Sequence, residues 1–180
     1  NFTINAEEYT EGGNYKKNMD VNININWGIL GDRTGTGKTL SILGLINDTI
    51  SDKLEYNFLD ATSIRSHKLT PPPGEYINTT IIFYEKYTAQ WLKELKRTGL
   101  RYKFVESISD QLPIEEYKLY DVVLVSYKHL VRLNASNATF PYVFKRTILD
   151  NYTRNAVKCK YGRLPRTYFT WYVTDEYKEM

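Results

Sequence analysis

The sequence predicts an α/β fold, a mainly parallel sheet with helices on both faces. Three observations predict it. Apolar strand-like runs alternate with helix-like segments from residue 27 to the end of the chain. The run Val122-Val123-Leu124-Val125 is continuously apolar and mostly β-branched, which suits a strand covered on both sides. A glycine-rich turn, Gly31 to Thr39, joins the first apolar run to the first helix-like segment.

Residues 1–20 are polar and show no sustained period, so they are expected to form an irregular N-terminal extension to a lobe spanning 21–180. Val21 to Asn26 alternates Val/Ile with Asn, the period of a half-exposed strand. Trp27 to Leu30 is a short apolar strand. Thr39 to Ile46 has apolar residues at helical spacing, weakened by Gly44. Residues 50–77 are a long polar connection ending in Pro71-Pro72-Pro73-Gly74, and a connection of that length usually has a function. Thr79 to Tyr84 is expected as a strand and Tyr87 to Arg97 as a helix with Trp91, Leu92 and Leu95 on one side. A short strand at Tyr102 to Val105 follows, then a helical stretch at Glu115 to Leu119, the strand Asp121 to Ser126, and a helical turn or two from Lys128 to Leu133. Arg146 to Asp150 is a strand ending on a carboxylate, and Tyr168 to Thr174 is the last strand. Right-handed crossovers gather the strand C-termini on one edge, where ligands bind.

With 180 residues, 42% hydrophobic and 25% charged, the chain can bury one core and not two. It begins on Asn1, and a fragment of a larger protein is expected. The formal charge of +3 permits nucleic-acid binding without demanding it. The densest basic cluster is Lys158, Lys160, Arg163 and Arg166, which a solvated loop explains as well. Cys159 is the only cysteine, so no intrachain disulfide can form and a reducing, intracellular location is expected. No leader peptide or spanning apolar run occurs, which argues against membrane insertion. The Asn-x-Ser/Thr sequons read as chance in a chain rich in Asn and Thr. His67 and His129 have no metal-ligand spacing around them.

The turn Gly31-Asp32-Arg33-Thr34-Gly35-Thr36-Gly37-Lys38-Thr39 has the pattern of a P-loop. Gly35 and Gly37 let the backbone approach an anion with no Cβ in the way, and Thr36 adds its amide between them. The loop amides and the helix N-terminus then face the phosphates. Lys38 would neutralise β- and γ-phosphate charge, and the Thr39 hydroxyl would serve Mg2+. ATP and Mg2+ are the implied ligands. Asp32 departs from the strict pattern only at the position least close to phosphate.

Leu30 to Leu40 resembles motif I of Swi/Snf-type superfamily 2 ATPases and their large-DNA-virus helicase relatives. Further segments resemble that family in its order. Ile81-Ile82-Phe83-Tyr84 followed by Gln90-Trp91-Leu92-Lys93-Glu94-Leu95 is similar to the motif Ia strand and its Gln-Trp helix. Tyr120 to Tyr127 resembles the strand that ends near the tracked nucleic-acid strand. Phe144 to Asp150 resembles the strand into the Asp-Glu box, and Phe169 to Thr174 the strand into motif III. Residues 27–175 are covered. The resemblance implies the first RecA-like lobe of a nucleic-acid-dependent ATPase, whose second lobe, carrying an arginine finger, lies outside this chain. It further implies double-stranded DNA as partner, contacted along an edge with Lys86, Tyr127 and Lys128, and a role in transcription in a virus, placing it in cytoplasm or virion, or otherwise in the nucleus.

The box itself departs from the family. Where Asp-Glu is expected the chain reads Asp150-Asn151. Asp150 can still hold Mg2+. Asn151 cannot accept a proton and can only orient water through its amide oxygen. General-base catalysis is worth roughly 10²–10⁴ in rate, so slow or absent hydrolysis with binding retained is expected. Alternatively Asp175-Glu176, after the last strand, forms the box, with Asp175 on the metal and Glu176 as base. A non-catalytic P-loop domain serving as a structural or docking subunit is the rival reading. A small-molecule P-loop kinase would instead carry an arginine-rich lid.

Overall fold

The computed structural model describes residues 2–9, 16–23, 27–50, 74–85, 88–110, 112–129, 142–151 and 164–175. The chain divides into two compact units, Asn1–Asn26 with Glu55–Pro71, and Trp27–Leu54 with Pro72–Met180. In the first, β1 (Phe2–Tyr9) and β2 (Lys16–Ile23) form an antiparallel hairpin in which Phe2 faces Ile23 and Tyr9 faces Lys16. The irregular extension expected over residues 1–20 is therefore two strands. Phe2, Ile4 and Ala6 of β1 alternate with polar residues, as do Val21 and Ile23 of β2.

The second unit contains β3 (Trp27–Gly31), α1 (Lys38–Asp48), β4 (Glu75–Tyr84), α2 (Thr88–Leu95), β5 (Tyr102–Val105), β6 (Val122–Ser126), β7 (Tyr142–Asp150) and β8 (Thr167–Thr174). The six strands form one sheet in the order β3-β8-β7-β4-β6-β5, and every pairing in it is parallel. The segment expected as helix at 115–119 is a 3₁₀ helix over Ile114–Leu119, and residues 127–129 begin a helical turn.

Handedness explains where the helices lie. From β3 to β4 and from β4 to β5 the chain moves toward the β5 edge. From β5 to β6, β6 to β7 and β7 to β8 it moves back. Right-handed crossovers put forward and backward connections on opposite faces. Accordingly α1 and α2 share one face. There Ile42, Leu43 and Ile46 of α1 and Trp91 and Leu95 of α2 pack with Ile82, Tyr84, Val122, Leu124 and Ile148. The opposite face has no α-helix with a full span among the described residues. It is covered by Tyr117 of the 3₁₀ helix, with Leu112, Tyr127 and Phe144, over Ile81, Phe83, Val123 and Val125. Successive residues of β4 and β6 thus serve alternate faces, as pleated strands must.

The C-terminal end of α1 is held by two cations. Its C-terminal Thr49 carbonyl accepts a hydrogen bond from Lys145 Nζ, and its hydroxyl accepts one from Arg146 Nη2 at 2.7 Å. Cations at a helix C-terminus oppose the partial negative charge there, and Lys145 is itself buried. At the edge of the sheet, Gly28 of β3 lies beside Trp171 of β8.

Candidate functional site

The turn between β3 and α1 curls over the C-terminal edge of the sheet. Gly35 and Gly37 both have positive φ, 87° and 92°, which other residues rarely adopt. A Cβ built on either would meet no atom within 4 Å, so the concave side of the loop is open. Thr36 closes the turn, its hydroxyl donating to the Arg33 carbonyl at 2.9 Å. Lys38 lies over the loop, Nζ donating to the carbonyl oxygens of Asp32 at 2.6 Å and Arg33 at 2.8 Å. Thr39 is the second residue of α1 and lines the same cleft.

Across that cleft stand the ends of β7 and β8. Register places Asp150 beside Val173, two residues before Asp175. Lys38, Thr39, Asp150, Asn151 and Asp175 line one cavity together. Asp175 accepts a hydrogen bond from Thr34 Oγ1 at 2.9 Å, and the Asp32 amide donates to the Thr174 carbonyl at 3.2 Å. The loop is thereby fastened to the end of β8.

Asp150 is held by three neighbours. Trp91 Nε1 donates to its Oδ2 at 2.7 Å, and the Tyr127 hydroxyl donates to its backbone oxygen at 3.2 Å. The Asn151 amide also hydrogen-bonds it. Burial pushes the Asp150 carboxyl above its ordinary pKa, and nearby Asp175 adds to that. Trp91, the Asn151 amide and the charge of Lys38 oppose the rise without cancelling it. Asn151 has φ 55°, a left-handed conformation that Asn tolerates better than Glu. Position 151 thus has a backbone geometry suited to the residue found there.

Tyr127 requires a correction. It was expected to touch nucleic acid, yet it is 3% exposed and its ring stacks on Phe83 with centroids 6.0 Å apart. It braces Asp150 from below instead. The alternation Val123, Val125, Tyr127 carries that signal, since it continues one buried face of β6. Lys128, the next residue, is exposed. Lys86 and Glu176 lie outside the described residues, as do Lys158, Lys160, Arg163, Cys159 and His67. Sequence reasoning gave α2 no part in the cleft, but Gln90, Trp91 and Glu94 all line it. Their i, i+1 and i+4 spacing was visible, though not the neighbour they would face.

The donor set fits a nucleoside triphosphate with a divalent cation. Open space sits where glycine side chains would be, an ammonium waits on carbonyl oxygens, and a hydroxyl and a carboxylate share the cleft. No protein-family model and no curated protein matches the chain. Solved structures do. One is a Sulfolobus solfataricus SWI2/SNF2 ATPase core in complex with double-stranded DNA, at 17% identity and a TM-score of 0.54, matched over 82% of this chain and 27% of that one. The fold is that of a RecA-like lobe. A Sulfolobus solfataricus SWI2/SNF2 ATPase core domain matches at 17% identity and a TM-score of 0.50, over 82% of this chain and 26% of that one. A nuclease-deletion mutant of the Type ISP restriction-modification enzyme LlaGI, in complex with a DNA substrate mimic, matches at 16% and 0.50, over 82% and 15%. The RecA-like lobe therefore spans about a quarter or less of each of these chains. No helix among its described residues is long and apolar enough to cross a membrane.

Proposed function

We propose that this chain is the ATP-binding lobe of a nucleic-acid-dependent ATPase of the helicase or DNA-translocase kind, with a degenerate Asp-Glu box. The observation that carries the reading is the open glycine cradle of Gly35 and Gly37 facing Asp150 across one cleft, with Lys38 and Thr39 between. In this reading the loop amides and Lys38 bind the phosphates. Thr39 and Asp150 hold Mg2+, which when bound offsets phosphate charge. Asn151 orients water through its amide oxygen but cannot take its proton. Catalysis is correspondingly slow. The second lobe would add the charge that phosphoryl transfer needs, commonly worth about 10³–10⁵ in rate. Glu176 as base, with Asp175 on the metal, is kept as the variant of this proposal in which the enzyme is fast.

Double-stranded DNA is the proposed nucleic acid. Support comes from the DNA present in two of the neighbours' structures and from exposed Lys128 just beyond β6. Titration of a fluorescent ATP analogue into full-length protein, with and without Mg2+, tests the reading. Saturable binding that Lys38→Ala weakens is expected, and no binding by the unaltered protein would end it. A non-catalytic docking role is favoured by one specific feature, the amide at position 151. Hydrolysis that emerges only in Asn151→Glu would support that role, whereas DNA-stimulated hydrolysis by the unaltered protein would exclude it.

A further inference from the structure

Helix α2 meets the nucleotide cleft through a buried side chain with one polar atom. Trp91 is 1% exposed, and its ring is packed with Tyr84, Leu95 and Ile148 on the helix-bearing face. An indole has one donor and no acceptor, and when buried it needs a partner. The partner is Asp150 Oδ2, 2.7 Å away and 59 residues distant in sequence. Packing alone could be served by phenylalanine. The hydrogen bond needs tryptophan.

The direction of approach gives this contact its consequence. Asp150 is the last residue of β7. Its carbonyl is held from one face of the sheet by Tyr127, and its carboxylate from the other face by Trp91. A carboxylate offers about four lone-pair sites, of which Trp91 occupies one and the Asn151 amide another. The others remain for the cleft that Lys38 and Thr39 share. A side chain gripped at one oxygen cannot swing freely away from the cation it would bind, so its orientation is set before the ligand arrives. Gln90 and Glu94 flank Trp91 on the same helix and line the same cavity.

We infer that Trp91 is a positioning residue, which orients Asp150 toward the magnesium–nucleotide complex by an indole hydrogen bond. The inference rests on the nucleotide-binding reading above. Loss of an outer-shell partner typically weakens metal affinity about tenfold to a hundredfold. In full-length Trp91→Phe, the Mg2+ concentration needed for tight binding of a fluorescent ATP analogue should rise by about that factor. Binding of the same analogue in EDTA should not change. In an Asp150→Asn background the Trp91→Phe effect on the Mg2+ curve should vanish, because the residue acts through the carboxylate. A Mg2+ curve unchanged by Trp91→Phe would overturn the inference while leaving nucleotide binding intact. Failure of the unaltered protein to bind the analogue at all would overturn both.

Should Trp91→Phe not fold, the unaltered protein supplies the second measurement. The 180 residues contain three tryptophans, so ¹⁵N-indole labelling of this chain gives three N–H resonances, assignable through Trp27→Phe and Trp171→Phe. With a non-hydrolysable ATP analogue at saturation, adding Mg2+ should shift the Trp91 resonance. A stationary resonance would count against the inference with no variant involved.

Discussion

Lys38 Nζ rests 2.6 Å from the carbonyl oxygen of Asp32 and 2.8 Å from that of Arg33, so the loop's cation is held by the loop's own backbone. The ammonium is parked where its charge is partly satisfied, one side-chain rotation from the open cradle. A phosphate with full negative charge would compete well with two neutral carbonyls.

Lys38→Ala should therefore weaken binding of an ATP analogue strongly and the fold little. Hydrogen bonds to charged groups contribute about 1.5–3 kcal/mol, which corresponds to roughly a 10- to 100-fold loss of affinity. Fluorescence titration measures the affinity, and urea denaturation checks that stability is nearly unaltered. A loss of less than threefold would remove Lys38 from the site.

Gly28→Ala should destabilise the edge of the sheet. The added Cβ would sit 2.7 Å from Trp171 Cζ3 and 3.0 Å from Cε3, inside contact distance. Overpacking of this kind costs about 1–3 kcal/mol. The double variant Gly28→Ala with Trp171→Leu should recover part of that loss, giving a non-additive cycle in urea denaturation. Additive losses would show that the ring moves aside freely.

Asn151 bears a backbone constraint that limits any attempt to place a Glu at this position. At φ 55°, replacement by Glu should cost about 1 kcal/mol of stability, because the short polar side chain of Asn can hydrogen-bond locally in the left-handed conformation and the longer Glu side chain does so less well. Asn151→Gly should be tolerated, within roughly 0.5 kcal/mol of the unaltered protein. Equal denaturation midpoints for the Glu and Gly variants would contradict the conformation assigned to this position.

Acid should loosen the β5–β6 edge through Asp121. Burial raises its pKa, but the Arg101 side chain at 2.8 Å, the Arg101 amide and the Arg101 charge together outweigh burial and hold the carboxyl below its ordinary 3.8. A lowered folded-state pKa means stabilisation that is complete well above 3.8 and is lost as pH falls through the lowered value. The stability difference between the unaltered protein and Asp121→Asn should then shrink steadily below pH 3.8. A difference independent of pH in that range would exclude the ion pair as its cause.

Much of this was legible in the residues. The glycine pattern of 31–39 requires a tightly curled backbone between a strand and a helix. The β-branched run of β6 requires burial on both faces, and the alternation of runs requires parallel crossovers. Expected strands and observed ones differ mainly at their starts, with β4 beginning at Glu75 rather than Thr79 and β7 at Tyr142 rather than Arg146. Burial fades toward the start of β4, where Glu75 and Asn78 are exposed while backbone pairing continues, whereas β7 is buried from Tyr142 onward and the charged Lys145 interrupts its apolar run.

By itself the sequence determined which groups the chain can offer: a glycine-rich loop with a lysine, a strand-end carboxylate, and an amide next to it. Only the tertiary structure decided which of these groups meet. Thr34 finds Asp175 across 141 residues and Trp91 finds Asp150 across 59, while Tyr127 turns inward to brace the cleft and not outward toward a ligand. Periodicity fixes which face of an element a side chain serves. Strand order and register fix what lies opposite it, and those arise from packing between segments far apart in the chain.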